Sequence, residues 1–169
     1  VPVWIRLKTH DYKSSDHAHL DKQYVPFDWA QSVASLDGLI VTGAPVEELP
    51  WETVTYWKEL CGIVDAAKAG GTCILGICWG GLALAKYLGI EKKMYPQKVF
   101  GVYPTRNLVP GHPITGGLDD VFQCPQSRHS GIDDAVLEAA EKAGKIRLLA
   151  HAAKGGYTIF ETPDHQIVM

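Results

Sequence analysis

Of the four cysteines in the chain, Cys78 is the one whose surroundings suit a nucleophile. It lies in the run Thr72-Cys73-Ile74-Leu75-Gly76-Ile77-Cys78-Trp79-Gly80-Gly81. An apolar, strand-like stretch leads straight into the cysteine, small residues flank it, and a helix-like segment follows. This G-x-C-x-G order is the layout of a nucleophile elbow, where glycines permit a sharp strand-to-helix turn that holds the reactive atom up at the sheet edge. A thiol so placed sits at a helix N-terminus, whose partial positive charge favours the thiolate. The backbone N–H of Trp79 can then help stabilise the oxyanion of a tetrahedral intermediate. Free cysteines more often serve as small apolar core residues. That ordinary role is expected for Cys61, on the apolar face of a helix, and for Cys73, pointing into a strand core. It also leads for Cys124, which lies close to a second candidate site segment.

The elements that must position this turn can be read from the hydrophobic pattern. Strand-like and helix-like segments alternate, which predicts an α/β fold with a mostly parallel sheet and helices on both faces. Val1 to Leu7 reads as a strand, and the polar, His-rich segment from Thr9 to Gln23 as surface. Leu36 to Thr42 is a continuous apolar run ending at Gly43, the mark of a strand buried on both faces. Trp51 to Lys68 reads as an amphipathic helix, with Trp57, Leu60, Cys61 and Val64 at helical spacing and Gly70-Gly71 ending it. Thr72 to Ile77 is the strand of the elbow, and Gly80 to Leu88 its helix. Further strands are expected at Lys98 to Tyr103, Val121 to Cys124, Ile146 to Ala152, Tyr157 to Glu161 and Gln166 to Met169. Asn107 to Gly117 is a loop rich in Pro and Gly, and Ile132 to Ala143 a helix. No repeat or linker splits the 169 residues, so one catalytic domain is expected over 1–169.

Composition narrows the class of function. A formal net charge of -3 with no basic run argues against a nucleic-acid partner. No stretch approaches the roughly 20 apolar residues needed to cross a bilayer. Nothing at the start resembles a signal peptide, and a cytoplasmic protein with reduced thiols is expected. No two cysteines form a C-x-x-C pair and the histidines complete no zinc-like spacing, so neither a metal nor another cofactor is expected.

Beyond these features the sequence resembles a known family. The run Asp37-Gly38-Leu39-Ile40-Val41-Thr42-Gly43-Ala44-Pro45-Val46-Glu47, the helix with Tyr56-Trp57, and Ile77-Cys78-Trp79-Gly80 look like homoserine O-acyltransferases of the class I glutamine-amidotransferase-like superfamily. Lys98 with Gly101-Val102-Tyr103, Asp119-Asp120-Val121-Phe122 and Pro125-Gln126-Ser127-Arg128 match in the same order. The resemblance implies that Cys78 carries the acyl group. It implies that Lys98 and Ser127 contact the amino-acid substrate and that Glu47 influences the choice of acyl-CoA. Departures also exist. Leu82 stands where the family usually has Gln. The family's G-H-P-E-Y segment, source of the catalytic His and its Glu partner, is expected a few residues beyond Met169, and the family's first strand before Val1. Of the histidines present, His165 reads as surface in a polar hairpin turn, and His129 follows the Ser127-Arg128 segment without the marks of a base.

Ping-pong chemistry is implied, with acyl-CoA as co-substrate and homoserine as acceptor, and a homodimer is left open. L-serine is one methylene shorter, a difference that pockets resolve by only about 1–3 kcal/mol, so it stays an alternative acceptor, as succinyl-CoA does a donor. A glutamine amidotransferase shares the elbow but leaves GAPVE and Ser127-Arg128 unexplained. A non-catalytic binding domain that kept the fold is the remaining alternative. Glu47 favours an acetyl donor, because relatives with Glu at this position resemble acetyl users and those with Gly resemble succinyl users.

Overall fold

The computed structural model describes residues 1–12, 15–27 and 36–169. Lys13 and Ser14 of the polar N-terminal segment lie outside the described residues. The fold separates into two compact units, Val1–Asp37 with Leu49–Thr72, and Gly38–Glu48 with Cys73–Met169.

The first unit is small. Strand β1 (Ile5–Arg6) pairs in parallel with β2 (Val25–Pro26), joined through helix α1 (His17–Gln23). Asp16 caps α1, its Oδ1 accepting from the backbone N–H of Ala18 at 2.9 Å. That bond satisfies one of the amides a helix start leaves without a partner. A 3-10 turn at Trp51–Thr53 precedes helix α2 (Trp57–Ala69). Leu60, Ile63, Val64 and Ala67 form the buried stripe of α2. Trp57 and Cys61 lie only half-buried at its margin, so the stripe is turned slightly from the one the spacing suggests. Burial pushes the Cys61 thiol up from its usual range, with the Asp65 charge adding to the effect. The helix ends at Gly70, and Gly71 takes a left-handed φ of 72°, as a glycine readily does.

The second unit holds a seven-stranded sheet in the order β3-β4-β9-β8-β7-β5-β6. Its strands are β3 (Gly38–Val41), β4 (Cys73–Gly76), β5 (Lys93–Asn107), β6 (Val121–Gly131), β7 (Arg147–Ala152), β8 (Gly156–Glu161) and β9 (Ile167–Val168). Helices α3 (Trp79–Tyr87) and α4 (Asp134–Lys142) complete it. Ile74, Leu84, Leu137, Leu149 and Ile167 are fully buried. Each such side chain contributes roughly 1.5–3 kcal/mol relative to exposure.

The α/β class stands, but the sheet is mixed where a mostly parallel one was expected. Among the described residues β3–β4 and β4–β9 pair in parallel, and the other four pairings are antiparallel. Short turns account for two of the four: the chain returns directly from β7 to β8 and from β8 to β9, and so tight a return can only be antiparallel. Two burial expectations also change. β3 alternates between exposed and half-buried positions and is not covered on both faces. Alternation along β4 buries Ile74 and Gly76 and turns Cys73 and Leu75 outward, so Cys73 is exposed. A continuous apolar run does not reveal how many faces are covered, because side chains on a strand alternate whatever their type.

β5 and β6 both run longer than the pattern suggested and form a long antiparallel ribbon. No described helix is long and apolar enough to cross a membrane.

A close backbone-to-backbone contact in the second unit lies where α3 meets β3. A Cβ built on Gly80 would stand 2.0 Å from the carbonyl oxygen of Val41 and 2.7 Å from its carbonyl carbon. A backbone neighbour cannot swing aside as a side chain can. Gly80→Ala is therefore expected to cost about 2–3 kcal/mol, read as a lowered urea midpoint. Gly117→Ala, where a Cβ meets nothing within 4 Å, should move it by under about 0.5 kcal/mol. Equal effects of the two substitutions would refute the packing account.

Candidate active site

Cys78 ends the connection from β4 to α3 and is the residue before the helix's first turn. Its backbone has φ 58° and ψ -119°, a conformation in which Cβ crowds the carbonyl and which costs a non-glycine residue about 1–3 kcal/mol. Three backbone bonds hold it there. The Ile77 amide donates to Val41 O at 2.9 Å, the Gly80 amide to Ile77 O at 3.0 Å, and the Gly81 amide to Cys78 O at 3.0 Å. Gly76 supplies the room beneath, since a Cβ there would lie within 2.8 Å of Gly80 O and of Gly81 Cα. The turn is thus a strained elbow with the thiol exposed at its tip. All four cysteines are free thiols.

The segment after β3 closes on the same point. A Cβ on Gly43 would lie 3.2 Å from Cys78 Cβ and 3.4 Å from its Sγ, so the GAPVE loop passes directly beside the sulfur. At the far end of that loop Glu47 is tied to β6. Its Oε2 accepts from the His129 amide at 3.2 Å, and its carbonyl oxygen accepts from Ser130 Oγ at 3.2 Å and from Lys92 Nζ. Burial pushes the Lys92 ammonium below the usual lysine range, and the Glu47 charge opposes that shift.

Cys78, Glu47 and Ser127 line one cavity of about 450 Å³, within the usual range for a small-molecule site. Lys98 is not among its lining residues. It stands exposed on β5 with Nζ 5.5 Å from the centre of the Phe100 ring. Phe100 pairs directly with Ser127, so Lys98 and Ser127 share one face of the ribbon. Trp79 is 3% exposed and packs inward, which leaves its main chain as the part nearest the cysteine. Among the described residues nothing hydrogen-bonds the Cys78 thiol.

Two cavity residues were not singled out by spacing. Arg128 lines the cavity, donates through Nη2 to Gly155 O and lies 5.6 Å from the Tyr95 ring centre. Cys124, for which core packing led, is half-buried at the cavity wall and accepts from Gln126 Nε2 at 3.1 Å. Its outward setting follows from β6 running on through Pro125, which the sequence pattern stopped at Cys124. His129 has Nδ1 3.6 Å from Glu48 Oε1. His165 has a half-exposed side chain with Nδ1 2.9 Å from Glu161 Oε1.

A cysteine on a strained strand-to-helix turn at the end of a mixed sheet defines the class I glutamine-amidotransferase-like fold. Solved structures bear this out at the level of fold alone. A glutamine amidotransferase from Thermotoga maritima superposes with a TM-score of 0.66 at 15% identity, over 98% of this chain and 73% of that one. The glutaminase domain of Trypanosoma brucei CTPS gives 0.67 at 10% identity, over 98% and 83%. The sequence assigns the family. Residues 2–169 match the homoserine O-succinyltransferase family, and the chain belongs to it. A homoserine O-acetyltransferase of Ruegeria sp. is 38% identical over 152 residues, 89% of this chain and 48% of that protein. One from Geobacillus sp. is 38% identical over 163 residues, 96% and 53%. The chain therefore spans about half the length of the curated relatives it matches.

The strain at Cys78 gives a direct test of the elbow. Cys78→Gly removes the steric conflict at φ 58°, at an entropic cost of roughly 0.5–1 kcal/mol in the unfolded chain. The net expectation is a gain in stability of about 1 kcal/mol, measured by urea denaturation. A loss of stability would show that the turn carries no strain.

Proposed function

We propose that the chain carries the nucleophile half of a homoserine O-acyltransferase that prefers an acetyl donor. The observation that carries this is the strained Cys78 elbow opening into the cavity that also holds Glu47 and Ser127, in a chain of this family. Lys98, one strand away on the same face as Ser127, would join the substrate contacts as residues on a flexible stem can.

In the first half-reaction the Cys78 thiolate attacks the thioester carbonyl of acyl-CoA. A new C–S bond forms, the tetrahedral oxyanion collapses, and CoA leaves as its thiol after taking up a proton. The amides of Trp79 and of the loop following Gly43 would stabilise that oxyanion. The closeness of Gly43 to the sulfur supports the second donor. In the second half-reaction a His oriented by a Glu takes the homoserine hydroxyl proton, the alkoxide attacks the acyl-enzyme, and the Cys78 thiolate is released. The parallel β4–β9 register, Leu75 opposite Val168, supports a source for that base. Chain continuing past Met169 in the direction of β9 would emerge at the end of the sheet that carries Cys78.

Glu47 supports the acetyl preference. Its carboxylate lines the cavity, anchored by the His129 amide, and would meet the distal carboxylate of a succinyl chain. Two such charges about 4 Å apart repel by roughly 4 kcal/mol at an effective dielectric near 20, enough to outweigh one additional apolar contact.

Intact-protein mass after incubation with acetyl-CoA should rise by one acetyl group, and Cys78→Ala should abolish the rise. Label on Cys73 or Cys124 would overturn the assignment. In the full-length enzyme Glu47→Gly should raise kcat/KM for succinyl-CoA relative to acetyl-CoA by at least tenfold. An unchanged ratio would make Glu47 a structural tie between its loop and β6. Ser127→Ala should raise KM for the amino acid and spare acylation of Cys78.

A further inference from the structure

Away from the Cys78 cavity, three side chains far apart in sequence converge on one buried point. Glu161 at the end of β8 is fully buried, with 0% of its side chain exposed. His112, from the Pro- and Gly-rich loop between β5 and β6, is 2% exposed and has Nε2 2.8 Å from Glu161 Oε1. His165, from the β8–β9 turn, has Nδ1 2.9 Å from the same oxygen. The two imidazole rings lie 5.4 Å apart. None of the three lines the Cys78 cavity.

Hydrogen bonding alone does not account for this cluster. A buried carboxylate requires both oxygens satisfied, yet Glu161 Oε2 has no hydrogen-bond partner. His112 Nε2 is equally buried and, although close to Oε1, is not aligned to donate to it. Oε1 has a hydrogen-bond partner in His165 Nδ1, which leaves His112 Nε2 and Glu161 Oε2 as a buried ring nitrogen and a buried carboxylate oxygen without one, both of them atoms that a metal ion takes as ligands. One potential ligand atom from each residue lies within 4.8 Å of the other two. In a tetrahedral zinc site, with bonds of about 2.0–2.1 Å, neighbouring ligand atoms stand about 3.3 Å apart, so small side-chain shifts suffice.

We propose that His112, Glu161 and His165 form a binding site for a divalent transition-metal ion of the zinc type. Two imidazoles and one carboxylate are the donors that suit such an ion, and a hard cation such as magnesium would ask for oxygen ligands instead. The half-exposed His165 gives the ion its route in and leaves a fourth position for water. Metal at Nε2 moves the His112 proton to Nδ1, where the contact given up is a long one, 3.3 Å from the Ile114 amide. The ion would pin the loop carrying His112 to the β8–β9 turn. It is a structural clip with no part in acyl transfer.

The test uses the full-length protein, treated with a chelator and then titrated with zinc chloride by calorimetry, with cobalt(II) as the spectroscopic probe. Uptake of one equivalent is expected. The cobalt adduct should show d–d bands without the intense thiolate charge-transfer absorption that cysteine ligation produces. His165→Asn removes one ligand at a position of φ 60°, which Asn tolerates, and should weaken binding at least tenfold. Glu161→Gln keeps the shape of the buried side chain and should weaken it further; if that variant fails to fold, His165→Asn decides the matter alone. Zinc should also raise the Tm of the parent and leave that of His165→Asn unmoved. Absence of uptake, a thiolate charge-transfer band, or unchanged affinity in His165→Asn would overturn the site.

Discussion

The approach of the start of α3 to the end of β3, at the distance only a glycine at position 80 allows, is the constraint on which the candidate site depends. With Gly80 against the Val41 carbonyl, the chain leaving β4 has no room for a gradual turn. It reverses at a single residue, and that residue, Cys78, takes the positive φ. The same contact brings the GAPVE loop, which continues from β3, alongside the sulfur. One steric fact thereby sets the position of the thiol, its exposure and the identity of its nearest backbone neighbours. Glu47 then ties the loop's far end to β6, so two walls of the cavity are held in register by hydrogen bonds that each pair a side chain with the main chain.

The elbow could be read in the sequence because it is local. Glycine spacing around Cys78, an apolar run before it and a helical run after it all lie within a few residues, where periodicity and turn chemistry act directly. The joining of Ser127 to the same cavity was less legible. It depends on β6 continuing through Pro125 to Gly131, and a proline ordinarily marks the end of a strand. β6 tolerates it because it is the last strand of the sheet, and an end strand has one side whose amides need no ladder partner. β5 was foreshortened for a related reason, with Pro96 and Pro104 interrupting its pattern.

Burial was the other weak point, and the reason is general. Cys73 and Ile74 are neighbours of similar apolar character, yet one is exposed and the other fully buried. Only the phase of the strand relative to its covering layer distinguishes them, and nothing local encodes that phase. The His112–Glu161–His165 cluster escaped notice for a comparable reason. Its members come from a loop, a strand end and a turn, so no spacing rule links them, and a histidine in a polar turn resembles any surface histidine until the fold places a buried carboxylate beneath it.

The proline that β6 tolerates on its way to Ser127 has an effect on the outer side of that strand as well. Among the described residues β6 ends the sheet, beside Phe100 and Val102 on an exposed apolar face of the ribbon. A long end strand is a template on which another chain can add a strand of its own and so start an aggregate. Pro125 has no amide hydrogen to offer, and it stands opposite Val102, in the middle of the long run of pairs. A newcomer aligning with β6 would meet a gap in the row of donors just where continuous bonding would otherwise be longest. The proline that β6 tolerates thus also works against uncontrolled association at the strand's open side.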